Sequence, residues 1–348
     1  MKMTSKERVL AAIRHQQTDR VPFFHMGTEQ IDRVLAQRLG LANYQEEELL
    51  CALKADIRFV RPSLIPHDGE HRAYFQVGSV HARLHHEKGY EKLVIEKPPL
   101  DDVEEAEAIY IVDCWPDPDW FDYKIPGTVV RMYQDKAVVA RGMGGLFLYA
   151  MALRGMENIL IDMAINPEIA QAIFTKIADT NLQRITRFLE ANPGVIDILD
   201  IGDDVAGQTG MIFSVAMWRT FIKPRLAQLY ARVHAGGKMT FQHTCGSVID
   251  IVPDLIEIGL DVLQSLQPEA MDVYRVKQLA GKKLRLWGGL GTQKLLPFGT
   301  PAEIRSEVRR LRDELGKNGG YVFTSSKPIM KDVPLANAVA LIEETLAG

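Results

Sequence analysis

The chain has 348 residues, 47% of them hydrophobic and 25% charged, with a formal net charge of −4. This is the composition of an ordinary globular protein, and its scattered Lys and Arg form no basic stripe, so no nucleic-acid partner is expected. No run of about twenty apolar residues occurs, and the charged start MKMTSKERVLAAIRHQQTDR lacks an apolar core, so neither a membrane span nor a signal peptide is expected.

The first predicted element is a helix. Thr4 and Glu7 have capping-box spacing, Val9, Leu10 and Ile13 give an apolar stripe, and Asp19 and Pro22 end it. VPFFHM (21–26) reads as a short buried strand, residues 31–54 as helix and ADIRFV (55–60) as the second strand. From 71 to 99 the pattern alternates and carries Gly breaks, which predicts antiparallel strands outside the main fold. AVVARG (137–142) is the third strand, followed by helical segments to about 191. VIDILDIG (195–202) is the fourth, a long helix covers roughly 214–235, and KMTFQH (238–243) is the fifth. DIVPDLIEIG reads as helix with Pro253 in its first turn. VLQSLQ (262–267) precedes the helix DVYRVKQLAG, and KLRLWGG (283–289) precedes the amphipathic helix AEIRSEVRRLRDELG. YVFTSS (321–326) is the eighth strand, and a final helix starts near Pro334.

Eight strands, most of them followed by helix, predict a parallel sheet closed into a (β/α)8 TIM barrel. The expectation is one domain over 1–348, with an antiparallel insert after the second strand. An open doubly wound sheet is the alternative, but no glycine-rich phosphate fingerprint follows an early strand.

Barrel active sites lie at the carboxyl ends of the strands. In chain order those ends carry His25, then Arg61, then Arg141, then Asp200, Asp203 and Asp204. His243 and Cys245 follow the fifth strand, Gln264 and Gln267 lie at the sixth, Gly288 and Gly289 at the seventh, and Ser325, Ser326 and Lys327 at the eighth. The interior strand positions are mostly Val, Ile, Leu and Phe. A polar-rimmed pocket over an apolar core is expected.

FQHTCGS (241–247) carries the sharpest chemical signal. Residues two apart in an extended chain share a face, so the His243 imidazole and Cys245 thiolate can aim at one zinc ion. The same pattern also suits a buried strand end with cysteine as a small hydrophobe. A catalytic zinc needs a third protein ligand, and the available candidates are His25, Glu29, Asp203 and Asp204. In GDDVAGQTG (202–210), Asp203 and Asp204 could orient a base, bind a hydroxyl or supply a metal oxygen, or else be turn residues. With His243 they are the candidate catalytic groups. Candidate substrate contacts are His25, Arg141, Gln208, Gln264 and Lys327. ARGMGG (140–145) could offer N–H groups and Arg141 to an anion, or be a flexible turn. His85 and His86 read as surface residues, and CWPDPDW as a packed loop. The three cysteines, Cys51, Cys114 and Cys245, are too few and too scattered for a disulfide framework, which fits a reducing cytoplasm.

Taken in order, TSKERVLAAIRHQQTDRVP, GDDVAGQTG, FIKPRLAQLYARVHAGG, FQHTCGS, LWGGLGTQ and GGYVFTSSKPIMKDVP resemble the uroporphyrinogen decarboxylase superfamily over essentially the whole chain. That superfamily also holds cobalamin- and coenzyme M-linked methyltransferases, and its fold is a (β/α)8 barrel. The resemblance to the true decarboxylases fails where their functional segments fall. HMGTEQ (25–30) stands for an arginine-rich RQAGR-type segment, FVRPS (59–63) for an FSDI-like one, and SSKPI for a GHGI-like turn. The methyltransferase branch is closer: its His-X-Cys pair after the fifth strand matches His243 and Cys245, but its late cysteine is replaced here by Ser325, Ser326 and Lys327. The resemblance implies transfer of a methyl group from a small O-methyl or N-methyl substrate to a corrinoid protein, assisted by zinc. In that reading Asp203 or Asp204 completes the metal site or orients substrate, and Arg141 or Lys327 binds a substrate carboxylate. The alternative activity is a metal-free lyase or decarboxylase on a small carboxylic acid other than uroporphyrinogen, and a non-enzymatic corrinoid-binding scaffold is the third reading.

Overall fold

The computed structural model describes residues 2–65, 81–87, 90–112, 114–115 and 117–347. Seven parallel strands form one sheet: β1 (Ile57–Val60), β2 (Ala137–Ala140), β3 (Ile198–Asp200), β4 (Met239–His243), β5 (Val262–Leu266), β6 (Arg285–Leu290) and β7 (Tyr321–Ser325). They lie side by side in chain order, as right-handed crossovers through helices require.

The expected first strand takes a different form. Residues 22–27 run between the sheet's two edges as an extended segment with isolated parallel bridges, Phe23 to Phe323 and Gly27 to Ile329. Phe24 N–H donates to the Phe323 carbonyl at 3.0 Å, and Asp56 N–H donates to the Phe23 carbonyl at 2.8 Å. The segment therefore touches β7 on one side and the start of β1 on the other, closing the sheet into a TIM-barrel-like fold. Pro22 at its start has no N–H to give a ladder, which limits regular pairing there.

Two apolar layers follow from alternation along the strands. Ile57, Val139, Ile198, Phe241, Val262, Trp287 and Val322 point inward, and Val9 and Ile13 join them. Those last two come from the N-terminal helix Ser5–Ile13, whose Thr4–Glu7 capping box forms as predicted. This helix plugs the amino end of the barrel: Gly320 N–H donates to the Ala12 carbonyl at 2.7 Å, and Arg285 Nε donates to the Ile13 carbonyl at 2.6 Å. Beneath it, fully buried Asp56 accepts from Arg8 at 2.6 Å and from Arg20 at 2.8 Å. With that end plugged, the cavity opens at the carboxyl ends.

The outward faces of the strands pack against helices. In Pro301–Leu315, Ile304, Val308, Leu311 and Leu315 are buried, the 3.6-residue stripe read from the sequence. Two expected long helices are broken. Residues 31–54 hold the helices Glu29–Arg38 and Glu46–Ala52 with a turn at Gly40, whose φ is +75°. The helix expected over 214–235 is Val215–Phe221 followed by Lys223–Ala235, interrupted where Pro224 cannot donate. Between β1 and β2 an antiparallel hairpin pairs His81–Glu87 with Tyr90–Lys97. The rest of the predicted insert from 71 to 80, and the side chains of His85 and His86, lie outside the described residues. None of the three cysteines is in a disulfide; Cys114 is in the core and Cys51 is exposed. Among the described residues no helix is long and apolar enough to cross a membrane.

Candidate active site

The barrel mouth opens into a cavity of about 800 Å³, within the range of small-molecule sites. His25, Arg141, Asp203, Asp204, His243, Gln264 and Lys327 all line it. Gln208 does not. It sits in the hairpin of Ala206–Gly207 and Gly210–Met211, where its Oε1 accepts from Gln267 Nε2 at 3.0 Å.

His243 is the last residue of β4, and its ring is gripped from both sides. Nδ1 has a short hydrogen bond to the Gln264 side-chain oxygen, contributed by the neighbouring strand β5. An amide oxygen only accepts, so Nδ1 carries the proton and Nε2 has a free lone pair. That Nε2 lies 3.1 Å from Cys245 Sγ and 3.9 Å from Asp204 Oδ1. Asp204 in turn accepts the Cys245 N–H at 2.8 Å. Gly246 makes this turn possible: its φ is +80°, and a Cβ there would stand 2.4 Å from the Gly207 carbonyl oxygen.

One ligand atom each from Asp204, His243 and Cys245 therefore falls within 4.8 Å of the others. Tetrahedral zinc with ordinary bond lengths separates its ligand atoms by about 3.3–3.8 Å, so small side-chain adjustments suffice. The Gln264 contact is the outer support that a metal-binding histidine usually has. Burial pushes the Cys245 thiol up to about 11, with Asp204 adding to the rise and the Lys327 ammonium opposing it. A metal bound there displaces the thiol proton.

Asp203 is turned the other way. Successive residues of an extended chain face opposite sides, and Asp203 is buried at 1% exposure. Its two oxygens accept the N–H groups of Phe147 at 2.8 Å and Leu148 at 2.9 Å. It thus caps the helix Leu146–Arg154, which begins directly after the ARGMGG segment. Burial pushes Asp203 up to about 7, against the pull of those bonds. The remaining ligand candidates also have other partners. His25 Nε2 is 2.7 Å from Asp32 Oδ1, both buried, and exposed Glu29 pairs with Arg33.

Asp200 lines the cavity although the sequence reading did not single it out as a site residue. Its Oδ1 is shielded and has no hydrogen-bond partner. Burial pushes its carboxyl up to about 6, opposed by His243 and Arg141. Its place as the last residue of β3 was the available signal.

Residues 89–346 match the profile of uroporphyrinogen decarboxylase (URO-D). The chain belongs to the uroporphyrinogen decarboxylase family. It is 24% identical over 265 residues to the uroporphyrinogen decarboxylase of Syntrophotalea carbinolica, covering 73% of this chain and 72% of that one. It is 27% identical to the one from Paraburkholderia phytofirmans, over 49% of this chain and 45% of the relative. A methyltransferase from Methanosarcina mazei has a similar fold, with a TM-score of 0.68, 99% coverage of both chains and 18% identity. In this family member the HMGTEQ segment sets His25 against Asp32, with Gly27 leaving the space: a Cβ there would lie 1.9 Å from Asp32 Oδ1.

Proposed function

We propose that this chain is a methyltransferase that moves a methyl group from a small O-methyl or N-methyl substrate to a corrinoid carried by a separate protein. Zinc is held by Asp204, His243 and Cys245. The observation that carries the reading is the convergence of these three ligand atoms within 4.8 Å at the barrel mouth. The fold shared with the Methanosarcina methyltransferase supports it. Bound zinc supplies Lewis acidity to the heteroatom that loses its methyl group, and the corrinoid supplies the attacking electron pair.

The chain's own residues do the positioning. Gln264 fixes the His243 tautomer, and Asp204 holds the Cys245 backbone so that thiolate and imidazole share one target. Lys327 lies beside the thiol and favours its anionic form. Asp203, by capping Leu146–Arg154, keeps the β3 turn in place beneath the ligands.

A second reading is decarboxylation of a small acid, favoured by Asp200 in the cavity, whose Oδ1 has no hydrogen-bond partner and whose carboxyl is pushed up to about 6 by burial. There the carbon–carboxylate bond breaks, carbon dioxide leaves and Asp200 returns a proton to the carbanion. The deciding experiment combines metal analysis with assays on methoxylated and N-methylated compounds, with and without a reduced corrinoid protein. Stoichiometric zinc in the wild type, its loss in Cys245→Ser, and demethylation only with the corrinoid protein are expected. Zinc-free wild type together with a fully active Cys245→Ser sinks the metal assignment. Product formed from an acid without corrinoid protein selects the decarboxylase.

A further inference from the structure

Two arginines, Arg61 and Arg141, stand on the cavity wall. Arg61 follows Val60 at the end of β1, and Arg141 follows Ala140 at the end of β2. Those strands pair with Val60 opposite Ala140, and the Arg141 backbone N–H donates to the Val60 carbonyl at 2.9 Å. Both side chains therefore leave from adjacent points of the rim, and both are exposed and line the cavity. The Arg141 guanidinium rests over the Phe59 ring, 4.5 Å from its centroid, which orients its plane.

The chain treats its other barrel arginines differently. Arg58, on the same strand as Phe59, is buried and grips Glu47 with two hydrogen bonds of 2.6 and 2.9 Å. Arg8 and Arg20 hold Asp56, and Arg154 holds Asp162. Among the described residues, neither the Arg61 nor the Arg141 guanidinium makes a hydrogen bond or ion pair. Two like charges side by side repel: burial loosens the Arg141 guanidinium's hold on its proton, Asp200 opposes this and neighbouring Arg61 adds to it. A planar anion between them removes that cost and accepts from both forks. Arg61, Arg141, Asp204 and His243 line the same cavity, so the arginine pair faces the proposed zinc ligands.

We propose that Arg61 and Arg141 together bind a carboxylate of the substrate, which makes the substrate a small carboxylate anion carrying its methylated heteroatom at the other end. The inference deepens the methyltransferase reading by naming its substrate class. Arg61 is a specificity residue that the motif pattern left unassigned.

The test measures binding to the full-length wild-type protein at neutral pH by calorimetry. The probes are methoxyacetate and 4-methoxybenzoate, each beside its neutral amide. At least one carboxylate is expected to bind about tenfold or more tightly than its amide. Arg61→Gln and Arg141→Gln are each expected to weaken that carboxylate about tenfold and to leave the amide and the zinc content unchanged. Equal binding of acid and amide, unaltered binding in both variants, or no binding of either carboxylate at millimolar concentration overturns the proposal. Unchanged circular dichroism shows that the variants fold. If the carboxylates bind through the arginines but no methyl transfer occurs, the anion site stands and the reaction assignment falls.

Discussion

The side-chain oxygen of Gln264 sits on Nδ1 of His243, the ring nitrogen remote from Cys245. One residue on β5 thus decides which nitrogen of a residue on β4 can face a metal. Gln264→Leu removes the acceptor while keeping the bulk. Zinc affinity is expected to fall about 10–100-fold, measured by competition with a chromogenic chelator. Unchanged affinity means that Gln264 does not orient the ring.

Asp203 and Asp204 separate by function. Asp203→Ala is expected to cost about 1–2 kcal/mol in urea unfolding, because the helix Leu146–Arg154 loses its cap, with zinc stoichiometry retained. Asp204→Ala is expected to lose zinc while the stability of the metal-free protein changes by less than about 1 kcal/mol. The reverse pattern exchanges the two roles.

Asp56 carries the amino end of the barrel. It is fully buried between Arg8 and Arg20, and it accepts the Phe23 N–H at 2.9 Å. Asp56→Ala leaves Arg8 buried without this partner, so a loss of about 3–5 kcal/mol is expected from urea unfolding. A loss below about 1 kcal/mol means that the ions and the closing segment find other partners.

Asp254 makes a pH-dependent contribution. Arg219 and Lys223 hold its carboxyl down at about 2. A depressed folded-state pKa stabilises the fold above the ordinary carboxylate range and loses that effect as pH falls towards 2. Asp254→Asn is therefore expected to unfold at lower urea than wild type at pH 6, with the difference shrinking from pH 4 to pH 2. A gap that stays constant over this window rules out Asp254 as its source.

The barrel was legible because each of its elements has a local signature. Apolar runs such as AVVA in β2 and YVF in β7 are buried on both faces and need no partner's identity to read as parallel strands. The helix Pro301–Leu315 announces itself by its apolar stripe. Breaks inside predicted helices were written in Gly40 and Pro224, whose local effect was outweighed by the surrounding periodicity. The closing segment at 22–27 was readable as buried and extended. Its reduction to isolated bridges depends on two sheet edges meeting around it, which local sequence does not encode.

For the site, the sequence alone determined that His243 and Cys245 share a face, because a two-residue spacing in extended backbone decides that locally. It also placed Arg61, Arg141 and Asp200 at strand ends. Only the tertiary structure separated Asp203 from Asp204, since that choice rests on a helix N-terminus more than fifty residues away in the chain. It likewise drew His25 to Asp32, kept Gln208 off the cavity wall and, among the described residues, left two neighbouring arginine side chains without a hydrogen bond or ion pair. Each of these outcomes is set by which polar groups meet when distant segments pack, and burial makes an unpaired group costly enough to settle the pairing.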